Sequence, residues 1–569
     1  MSSDVESLNI AARLSEQARL RPSQPAVICG GRTITFSDLD GEAARLSAGL
    51  EAAGFGPGRR VALMVPPSVE FYALTFALFR AGAVPVFIDP GMGLKNIGAC
   101  LAKAEPEAFI GSVKAHLGRV LGGWGRATIR SRVVVGGRWP GALPLDRLRR
   151  GSAEPKPAPP AAGLPPGQPL REPRPAPPAA GLPPERPLRE PRPDETAAIL
   201  FTSGSTGAPK GAVYTHAIFS AQVDLLARLF DVRPGEVSVP TFPLFGLFDV
   251  ALGMTAVIPK MDATRPAEVD PREILGPIEK HGAAQLFGSP ALLDAVGRYA
   301  EAAKRRLPTL KRVISAGAPV PAKVVERFAS LLQAGVQIHT PYGATEALPV
   351  CAIASSEILA ETAALSARGR GTCVGRPVPG VEVAIINVSD GPLPLWSEGL
   401  LASEGEIGEI VARGPVVTPR YYNLPEATAL AKIGGAGGVF HRMGDLGYLD
   451  HQGRVWFCGR KSQRVTSQSG TLCTIPCEAV FNQDPRVRRT ALVGVGPPRA
   501  QTPVLCVELG DSGADRESLK AELLALGAAH EHTRAIKTIL FHPGFPVDIR
   551  HNAKIFREAL AAWAAKRLR

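Results

Sequence analysis

The amino-acid sequence predicts an α/β protein with two domains, a large layered α/β domain at residues 1–460 and a small α/β domain at residues 461–569. Three observations predict this division. At 569 residues, the chain is too long for one ordinary hydrophobic core. Helical and strand patterns alternate over residues 1–150 and again from residue 196 to about residue 458. Residues 461–569 have a strand–strand–helix order of their own.

Local patterns predict the individual elements in order. AARLSEQARLRP is typical of an amphipathic helix that Pro22 ends, and AVICGGRTITF predicts a hairpin around its Gly-Gly pair. RVALMVPPS predicts a buried strand followed by a turn. The most apolar stretch, residues 71–89, is interrupted by Arg, Gly and Pro, so it predicts a buried helix and a buried strand rather than a membrane span. Near the C-terminus, TALVGVG and TPVLCVEL predict strands and ESLKAELLALGAAH predicts a helix.

A proline-rich segment at residues 154–193 interrupts these patterns. PAPPAAGLPP occurs at residues 157–166 and again at 175–184, and PLREPRP also occurs twice. Proline makes up roughly 40% of the segment, a composition that cannot build a packed core. We expect a disordered or polyproline-like surface insert. It could dock a partner, but a tandem duplication tolerated in a loop is favoured, because lengthening a loop costs little free energy.

Bulk composition restricts the function classes. Hydrophobic content of 45% and a mean hydropathy of +0.06 are typical of a soluble globular protein. The net charge of +13 comes from dispersed arginines without a nucleic-acid-binding motif, so nucleic acid is not expected as a partner. The charge allows at most peripheral attraction to acidic membranes or proteins. No signal peptide is visible, and Cys473 and Cys477 are predicted to be free buried thiols rather than zinc ligands, which favours the cytoplasm.

The strongest chemical signal is TSGSTGAPKG at residues 202–211, which follows the apolar strand AAILF. Its three glycines allow the backbone to approach an anion closely, while hydroxyls and main-chain N–H groups cradle phosphate oxygens. Lys210 supplies positive charge. The segment does not fit the Walker A pattern, so it indicates a different kind of phosphate-binding loop.

This loop resembles the phosphate-binding signature of the adenylate-forming superfamily, which includes acyl-CoA synthetases, peptide-synthetase adenylation domains and luciferases. Further segments are similar to family motifs in the same order along the chain. They are YGATE at 342–346, Gly444-Asp445, Gly459-Arg460, and Lys554 in RHNAKIFRE. The resemblance implies ATP-dependent activation of a carboxylate, with Mg²⁺ as the metal.

The resemblance also implies roles for individual residues. Lys554, Lys210 and Thr345 are implied as catalytic, Glu346 and Thr206 as Mg²⁺ ligands, and Ser462 as the hinge between the domains. Lys554 would neutralise charge while the carboxylate attacks the α-phosphorus. The residues implied in ATP or AMP binding are Thr202, Ser203, Gly204, Ser205, Thr206, Gly207, Gly317, Ala318, Pro319, Tyr342, Gly343, Asp445 and Arg460.

Several positions depart from the family pattern. Met443 replaces the small hydroxyl residue before Gly-Asp, NAK at residues 552–554 replaces SGK, and Ser462 replaces the usual Asp or Lys at the hinge. In PLFG at residues 243–246, Gly246 occupies a position where many acyl-CoA synthetases carry histidine. Phe245 and Gly246 are expected to line the acyl pocket. These departures argue against thioester formation more than against adenylation.

Residues 240–271 and 541–558 are similar to the β-lactone-forming branch of this superfamily, which serves long-chain olefin biosynthesis in bacteria. That similarity implies a 2-alkyl-3-hydroxy fatty acid whose own 3-hydroxyl attacks the adenylated carboxyl group, and association with neighbouring enzymes of the pathway. A fatty acyl-CoA or acyl-carrier-protein ligase is the alternative, and a non-catalytic acyl- or nucleotide-binding module is a further one. The base for lactone closure stays open, because His216, Asp249 and His441 are each interpreted as structural.

Overall fold

The computed structural model describes residues 7–150, 188–202, 209–510, 515–547 and 555–568. Most of the phosphate loop, Lys554 and most of the proline-rich segment therefore lie outside the described residues. The described chain forms a mixed α/β architecture with two large sheets and a separate small C-terminal sheet, so the predicted fold class is confirmed. Within it, no helix is both long and apolar enough to cross a membrane.

The strands are numbered in chain order. They are β1 Pro25–Cys29, β2 Arg32–Thr35, β3 Arg60–Met64, β4 Val84–Ile88, β5 Ala108–Ser112, β6 Ser131–Val135, β7 Leu143–Pro144, β8 Thr196–Thr202, β9 Lys210–Thr215, β10 Val237–Pro240, β11 Thr255–Ile258, β12 Gln285–Gly288, β13 Arg312–Ser315, β14 Gln337–Ala344, β15 Ala347–Ala354, β16 Thr372–Pro377, β17 Glu382–Ile386, β18 Gly408–Arg413, β19 Lys432–Gly435, β20 Gly438–Leu449, β21 Val455–Arg460, β22 Val465–Ser467, β23 Gly470–Leu472, β24 Val487–Val495, β25 Thr502–Leu509 and β26 Thr538–Phe541.

The helices are numbered in the same way. They are α1 Ile10–Leu20, α2 Phe36–Ala52, α3 Val69–Arg80, α4 Leu94–Ala104, α5 Val113–Leu121, α6 Leu145–Arg149, α7 His216–Leu229, α8 Pro243–Ala251, α9 Arg272–His281, α10 Pro290–Ala302, α11 Ala322–Ala329, α12 Ser355–Glu357, α13 Ala363–Leu365, α14 Pro425–Ala431, α15 Thr474–Phe481, α16 Arg516–Ala528 and α17 Arg557–Ala565. Most of the longer ones begin at a Ser, Thr, Asn or Asp side chain that accepts a backbone N–H, as Ser68 does for α3 and Thr215 for α7.

Two sheets build the large domain. The larger runs in the order β17-β18-β20-β21-β16-β15-β14-β13-β12-β10-β11-β1-β2, with β19 paired to β20, and the other runs β7-β6-β5-β3-β4-β8-β9. The central strands β10 to β14 are parallel, and β10 to β13 are almost fully buried, as expected for strands covered by helices. The carboxyl ends of these strands meet at one edge of the sheet. Gly317 follows the end of β13 there, and Tyr342 lies near the end of β14.

The small domain is built on the sheet β24-β25-β26, with α15 and α16 packed into its apolar core and α17 against a second cluster on the same sheet. The preceding strand β21 ends at Arg460, and Ser462 lies in the short 3₁₀ turn Lys461–Gln463. The turn is tied back to the large domain, because Lys461 Nζ lies 3.0 Å from the buried Glu409 carboxylate. Cys473 and Cys477 are buried and are not joined by a disulfide.

The local predictions agree with the observed elements. The hairpin β1–β2 forms around the Gly-Gly pair, and residues 71–89 contain buried helix α3 and buried strand β4. The predicted strands and helix near the C-terminus are β24, β25 and α16. Helix α1 ends at Leu20, slightly before Pro22.

The end of the predicted insert differs from expectation, since residues 188–193 belong to the folded domain. Leu188 packs against the main apolar core, and Pro191 is buried. The Glu190 carboxylate accepts hydrogen bonds from Ser7 Oγ at 2.6 Å and from the Leu8 backbone at 2.9 Å. One leucine and one carboxylate therefore attach these six residues to the folded domain, although they belong to the proline-rich segment. Residues 151–187 lie outside the described residues.

Two deletions of different length should show which part of the insert the folded domain needs. Replacing residues 154–187 with a flexible Gly/Ser linker of about 10 residues is expected to leave ATP-dependent pyrophosphate release within about threefold, since every motif lies elsewhere. Extending the deletion through residue 193 should lower the free energy of unfolding by about 2 kcal/mol, because Leu188 and the Glu190 hydrogen bonds are lost. Urea unfolding and a pyrophosphate assay measure both. A large loss of turnover in the shorter deletion would contradict this view.

Candidate active site

Three residues from separate sequence motifs meet at a buried carboxylate. Antiparallel pairing of β20 with β21 places Asp445 directly opposite Arg460. The Arg460 guanidinium lies 2.9 Å from Asp445 Oδ1, and the Tyr342 hydroxyl donates to Asp445 Oδ2 at 2.6 Å. Asp445 is only 3% exposed. The sequence therefore brings together distant motif residues, as the family resemblance implied.

The electrostatics of this group favour a polar ligand. Burial raises the pKa of Asp445, while Arg460 and the Tyr342 hydrogen bond oppose that rise. Burial and the neighbouring Asp445 raise the pKa of Tyr342 well above its usual value. Asp445 Oδ1 makes its ion pair with Arg460 but accepts no well-aligned hydrogen bond from the described residues. The carboxylate thus keeps acceptor capacity for ligand hydroxyls.

A second buried carboxylate, Glu346, lies between β14 and β15. Tyr421 Oη donates to Glu346 Oε1 at 2.7 Å, and the Thr418 backbone N–H and hydroxyl donate to the Glu346 carbonyl oxygen. Lys210 Nζ lies 5.2 Å from the centroid of the Tyr421 ring, a cation–π distance. Tyr421 therefore connects the lysine of the phosphate loop with the predicted metal ligand.

Cations converge near Glu346. Lys432 is buried and donates to Thr418 Oγ1 at 3.3 Å, and burial lowers the pKa of Lys432 to about 7 despite the opposing charge of Glu346. Burial, followed by the charges of Lys432, Lys210 and Arg460, lowers the pKa of the His441 imidazole well below its usual value. A region that collects this much positive charge suits a polyphosphate.

The donor chemistry around Glu346 suits a hard cation that keeps most of its other ligands. The described residues contain no cluster of three or more His, Cys, Asp or Glu side chains that could enclose a metal. A single buried carboxylate is compatible with Mg²⁺, which binds through one or two carboxylates, substrate phosphates and water. Thr206, the second predicted ligand, lies outside the described residues.

Hydrogen bonds and glycines fix the backbone conformation of these motifs. Tyr214 Oη donates to the Thr345 carbonyl oxygen at 2.6 Å, which fixes the turn that carries Thr345 and Glu346. A Cβ at Gly343 would lie 2.6 Å from the Ala347 carbonyl oxygen, so only glycine fits there. Gly317 has φ of +99°, and with Ala318 and Pro319 it forms the bend after β13.

Some of the remaining predicted site residues lie in the described part of the chain, and the others lie outside it. Thr202 ends β8 and pairs across the hairpin with Lys210, the first residue of β9. Ser203, Gly204, Ser205, Thr206, Gly207 and Lys554 lie outside the described residues. His216 is buried against Phe79, and burial lowers the pKa of His216 to about 4. Sequence reasoning missed Tyr421, Thr418 and Lys432. Tyr421 is the first residue of the Tyr-Tyr pair in RYYNLPEAT, but no pattern there assigned it a role.

An apolar cavity, partly open to solvent, adjoins this edge of the sheet. Phe245 lines it and stacks on Phe287 with ring centroids 4.0 Å apart. The cavity lining also includes Ala316 and Pro341, the residues that immediately precede Gly317 and Tyr342. The cavity therefore begins beside the segments predicted to hold the nucleotide.

Gly246 is not part of the described cavity lining. It is buried where a Cβ would lie 2.3 Å from Tyr72 Oη, and the Tyr72 hydroxyl donates to the Pro243 carbonyl oxygen at 3.0 Å. The tyrosine thus occupies the space that a side chain at Gly246 would need. This explains physically why the histidine found at this position in many acyl-CoA synthetases is absent.

The Tyr72–Gly246 contact predicts a coupled pair of substitutions. Gly246→Ala is expected to destabilise the protein by about 1–3 kcal/mol, because the new methyl group clashes with Tyr72 Oη. Tyr72→Phe alone should cost about 1 kcal/mol through its lost hydrogen bond. The double variant should lose less stability than the two single variants together, since phenylalanine removes the clashing atom. Urea unfolding of all four proteins measures the coupling between the two positions. Additive losses of stability would show that the contact between Tyr72 and residue 246 does not cause the destabilisation.

Comparison with known proteins gives consistent results. The family model for AMP-binding enzymes matches residues 14–422. The chain is 46% identical to the olefin beta-lactone synthetase of Stenotrophomonas maltophilia over 98% of both chains, and equally similar to that of Xanthomonas campestris, again over 98% of both. Among solved structures, the amide bond synthetase McbA from Marinactinospora thermotolerans superposes with a TM-score of 0.75 at 23% identity, covering 98% of this chain and 99% of that one.

Proposed function

Because this chain belongs to the AMP-binding enzyme family, we propose that it activates a 2-alkyl-3-hydroxy fatty acid with ATP and then closes it to a β-lactone. AMP and pyrophosphate are the other products, and the enzyme is an AMP-forming acid ligase of long-chain olefin biosynthesis. The observation that carries this proposal is the 46% identity to two olefin beta-lactone synthetases over 98% of the chain. The apolar cavity beside the predicted nucleotide segments supports a fatty-acid substrate.

In the first half-reaction, the substrate carboxylate attacks the α-phosphorus of ATP. Asp445 accepts hydrogen bonds from the ribose hydroxyls, and Arg460 contacts the ribose or phosphate. Lys210, Lys432 and Arg460 neutralise the triphosphate, and Thr345 donates to the α-phosphate. Lys554 lies in the small domain, so its contact with ATP requires the two domains to close around Ser462. Two anions must approach each other in this step, which is why the site gathers cations.

Mg²⁺ belongs to the same proposal, with Glu346 and Thr206 as its protein ligands. When bound, it neutralises charge on the triphosphate. The Tyr421 hydrogen bond orients the Glu346 carboxylate, and the Thr418 hydrogen bonds to its carbonyl oxygen fix the backbone.

In the second half-reaction, the 3-hydroxyl oxygen attacks the adenylated carbonyl carbon and AMP leaves. The nucleophile is already attached to the substrate, so neither a second substrate nor a channel for pantetheine is needed. Association with neighbouring enzymes of olefin biosynthesis and a cytoplasmic location complete the proposal. The net charge of +13 allows no more than peripheral attraction to an acidic surface.

Product analysis tests the proposal directly. The full-length protein is incubated with ATP, Mg²⁺ and a racemic 2-alkyl-3-hydroxy acid, with and without CoA or a carrier-protein thiol. We expect pyrophosphate release and a product whose mass equals the acid minus water, irrespective of the thiol. Formation of a thioester whenever thiol is present, and of no lactone without it, would instead identify an acyl-CoA or acyl-carrier-protein ligase. Absence of pyrophosphate release would indicate a binding module.

A further inference from the structure

The apolar cavity has an unusual polar end formed by Asp249, Gln222 and Gln285. All three side chains line the cavity and are less than 6% exposed. Asp249 Oδ2, Gln222 Oε1 and Gln285 Oε1 have no hydrogen-bond partner among the described residues. A buried polar atom without a partner is destabilising, so three among the residues of one cavity indicate a missing ligand group.

The chemistry of these atoms restricts that group. All three are acceptors, so the complementary ligand must carry a hydrogen-bond donor on an otherwise apolar body. An unsubstituted fatty acyl chain would leave all three unsatisfied, whereas a hydroxyl group on the chain would satisfy at least one. The cavity therefore favours a hydroxylated acid over a plain fatty acid.

The geometry of α8 places Asp249 beside the expected path of the substrate. Phe245 and Asp249 are four residues apart and hence on the same face of the helix, and both line the cavity. The same cavity also includes Ala316 and Pro341, which adjoin the predicted nucleotide segments. Because the 3-hydroxyl is only two carbons from the carboxyl carbon, an acid activated beside Ala316 and Pro341 presents this hydroxyl to the cavity that Asp249 also lines.

Asp249 is held in place on its other side. Gln285 Nε2 donates to Asp249 Oδ1 at 3.2 Å, and the Ser238 hydroxyl is adjacent. This arrangement fixes one carboxylate oxygen and leaves Oδ2 for a ligand. By comparison, His216 and His441 are absent from the cavity lining.

Resting on the proposed function, we propose that Asp249 Oδ2 binds the 3-hydroxyl of the substrate and accepts its proton when the lactone closes. In this step the O3–H bond breaks and O3 forms a bond to the carbonyl carbon. The bond from that carbon to the AMP oxygen breaks, and its electron pair leaves with AMP. The proton resides on Asp249 until it is released to water. Gln285 is a positioning residue that orients the carboxylate.

The charged surroundings of Asp249 suit this role. Burial raises the pKa of Asp249 to about 7, with Ser238, Arg312 and Gln285 opposing the rise. Arg312 is itself paired with Glu236, and burial raises the pKa of the nearby Tyr72 hydroxyl well above its usual value, so Tyr72 stays neutral. His339, near Arg312, also stays neutral because burial lowers its pKa. A base is most effective when its pKa lies close to the working pH.

Single-turnover kinetics of Asp249→Asn test the proposal. At saturating acid, pyrophosphate release should fall far less than lactone appearance, which should drop by about 10²–10³-fold, so that the acyl adenylate accumulates. Asp294→Asn, on the distant helix α10, is the matched control for the same atomic change and should leave both steps unchanged. Lactone appearance at the normal rate in Asp249→Asn would overturn the proposal.

The pH dependence supplies a test that does not depend on the folding of a variant. In the unmodified enzyme, the lactone-closure rate should fall about tenfold per pH unit below about 7, because the protonated carboxyl cannot accept a proton. A flat profile between about pH 5.5 and 8.5 would overturn the proposal.

Binding measurements separate this inference from the proposed function. Without ATP, calorimetry should show that the unmodified enzyme binds a 3-hydroxy acid at least about tenfold more tightly than its 3-deoxy analogue, and that Asp249→Asn loses most of this preference. Equal binding of both acids would overturn the hydroxyl site even if lactone forms. Absence of lactone with the binding preference intact would instead refute the proposed function and the proton transfer, and leave the hydroxyl site standing.

Discussion

Replacing Lys554 with alanine is expected to slow adenylate formation by about 10²–10³-fold, the usual effect of removing one preorganised charge from a site of developing charge. Lactone closure from the adenylate should change much less, because no phosphate is attacked in that step. Rapid-quench measurement of pyrophosphate release and lactone appearance separates the two rates.

Lys537, on the same small domain, provides the control for Lys554. Lys537→Ala removes an equal charge from the domain and should leave both rates unchanged. An equal loss in both variants would point to a general electrostatic effect rather than to contact with ATP. If Lys554→Ala instead slowed closure and spared adenylation, the assignment of the lysine to the first half-reaction would be wrong.

Asp445→Asn is expected to lower kcat/KM for ATP by about 10²–10³-fold. The carboxylate is buried, paired with Arg460 and hydrogen-bonded to Tyr342, and disrupting such a group costs about 3–5 kcal/mol. Tyr342→Phe keeps the carboxylate and removes only one donor, so its loss should be about tenfold. Thermal melting of both variants identifies any contribution from reduced stability.

An ATP analogue without ribose hydroxyls tests whether Asp445 is the residue that accepts hydrogen bonds from them. The unmodified enzyme should use 2′,3′-dideoxy-ATP far less efficiently than ATP, whereas Asp445→Asn should discriminate little between them. If the variant kept the full discrimination, Asp445 would not be the ribose acceptor, whatever its effect on turnover.

Much of this fold follows from local sequence signals, but the long-range order does not. The β1–β2 hairpin and the α3–β4 pair were predictable because turn glycines and apolar periodicity act over a few residues. The pairing of Val27 with Ala256 in parallel strands leaves no comparable local trace. Strand order is set by packing between segments far apart in the chain, which a single sequence does not display.

The candidate site shows the same division. Tyr342, Asp445 and Arg460 were predictable because each belongs to a recognisable motif. Tyr421 and Lys432 were not, because their partners are Glu346 and Thr418, and no helical or strand periodicity connects such positions. The sequence alone could not assign Asp249 a role in the reaction. Only the structure shows that this residue lines the cavity and that one of its carboxylate oxygens lacks a hydrogen-bond partner among the described residues.

The folded end of the proline-rich segment has a consequence for how this gene can change. Residues 188–193, LREPRP, repeat residues 170–175 letter for letter, with a period of 18 residues. Loss of one repeat unit by slippage during replication would therefore restore an identical Leu, Glu and Pro at the junction, and the carboxylate that secures Ser7 and Leu8 would be regenerated. Chains that differ by whole repeat units would all keep the same six residues next to β8. Chains with one, two or three units should fold and adenylate equally well.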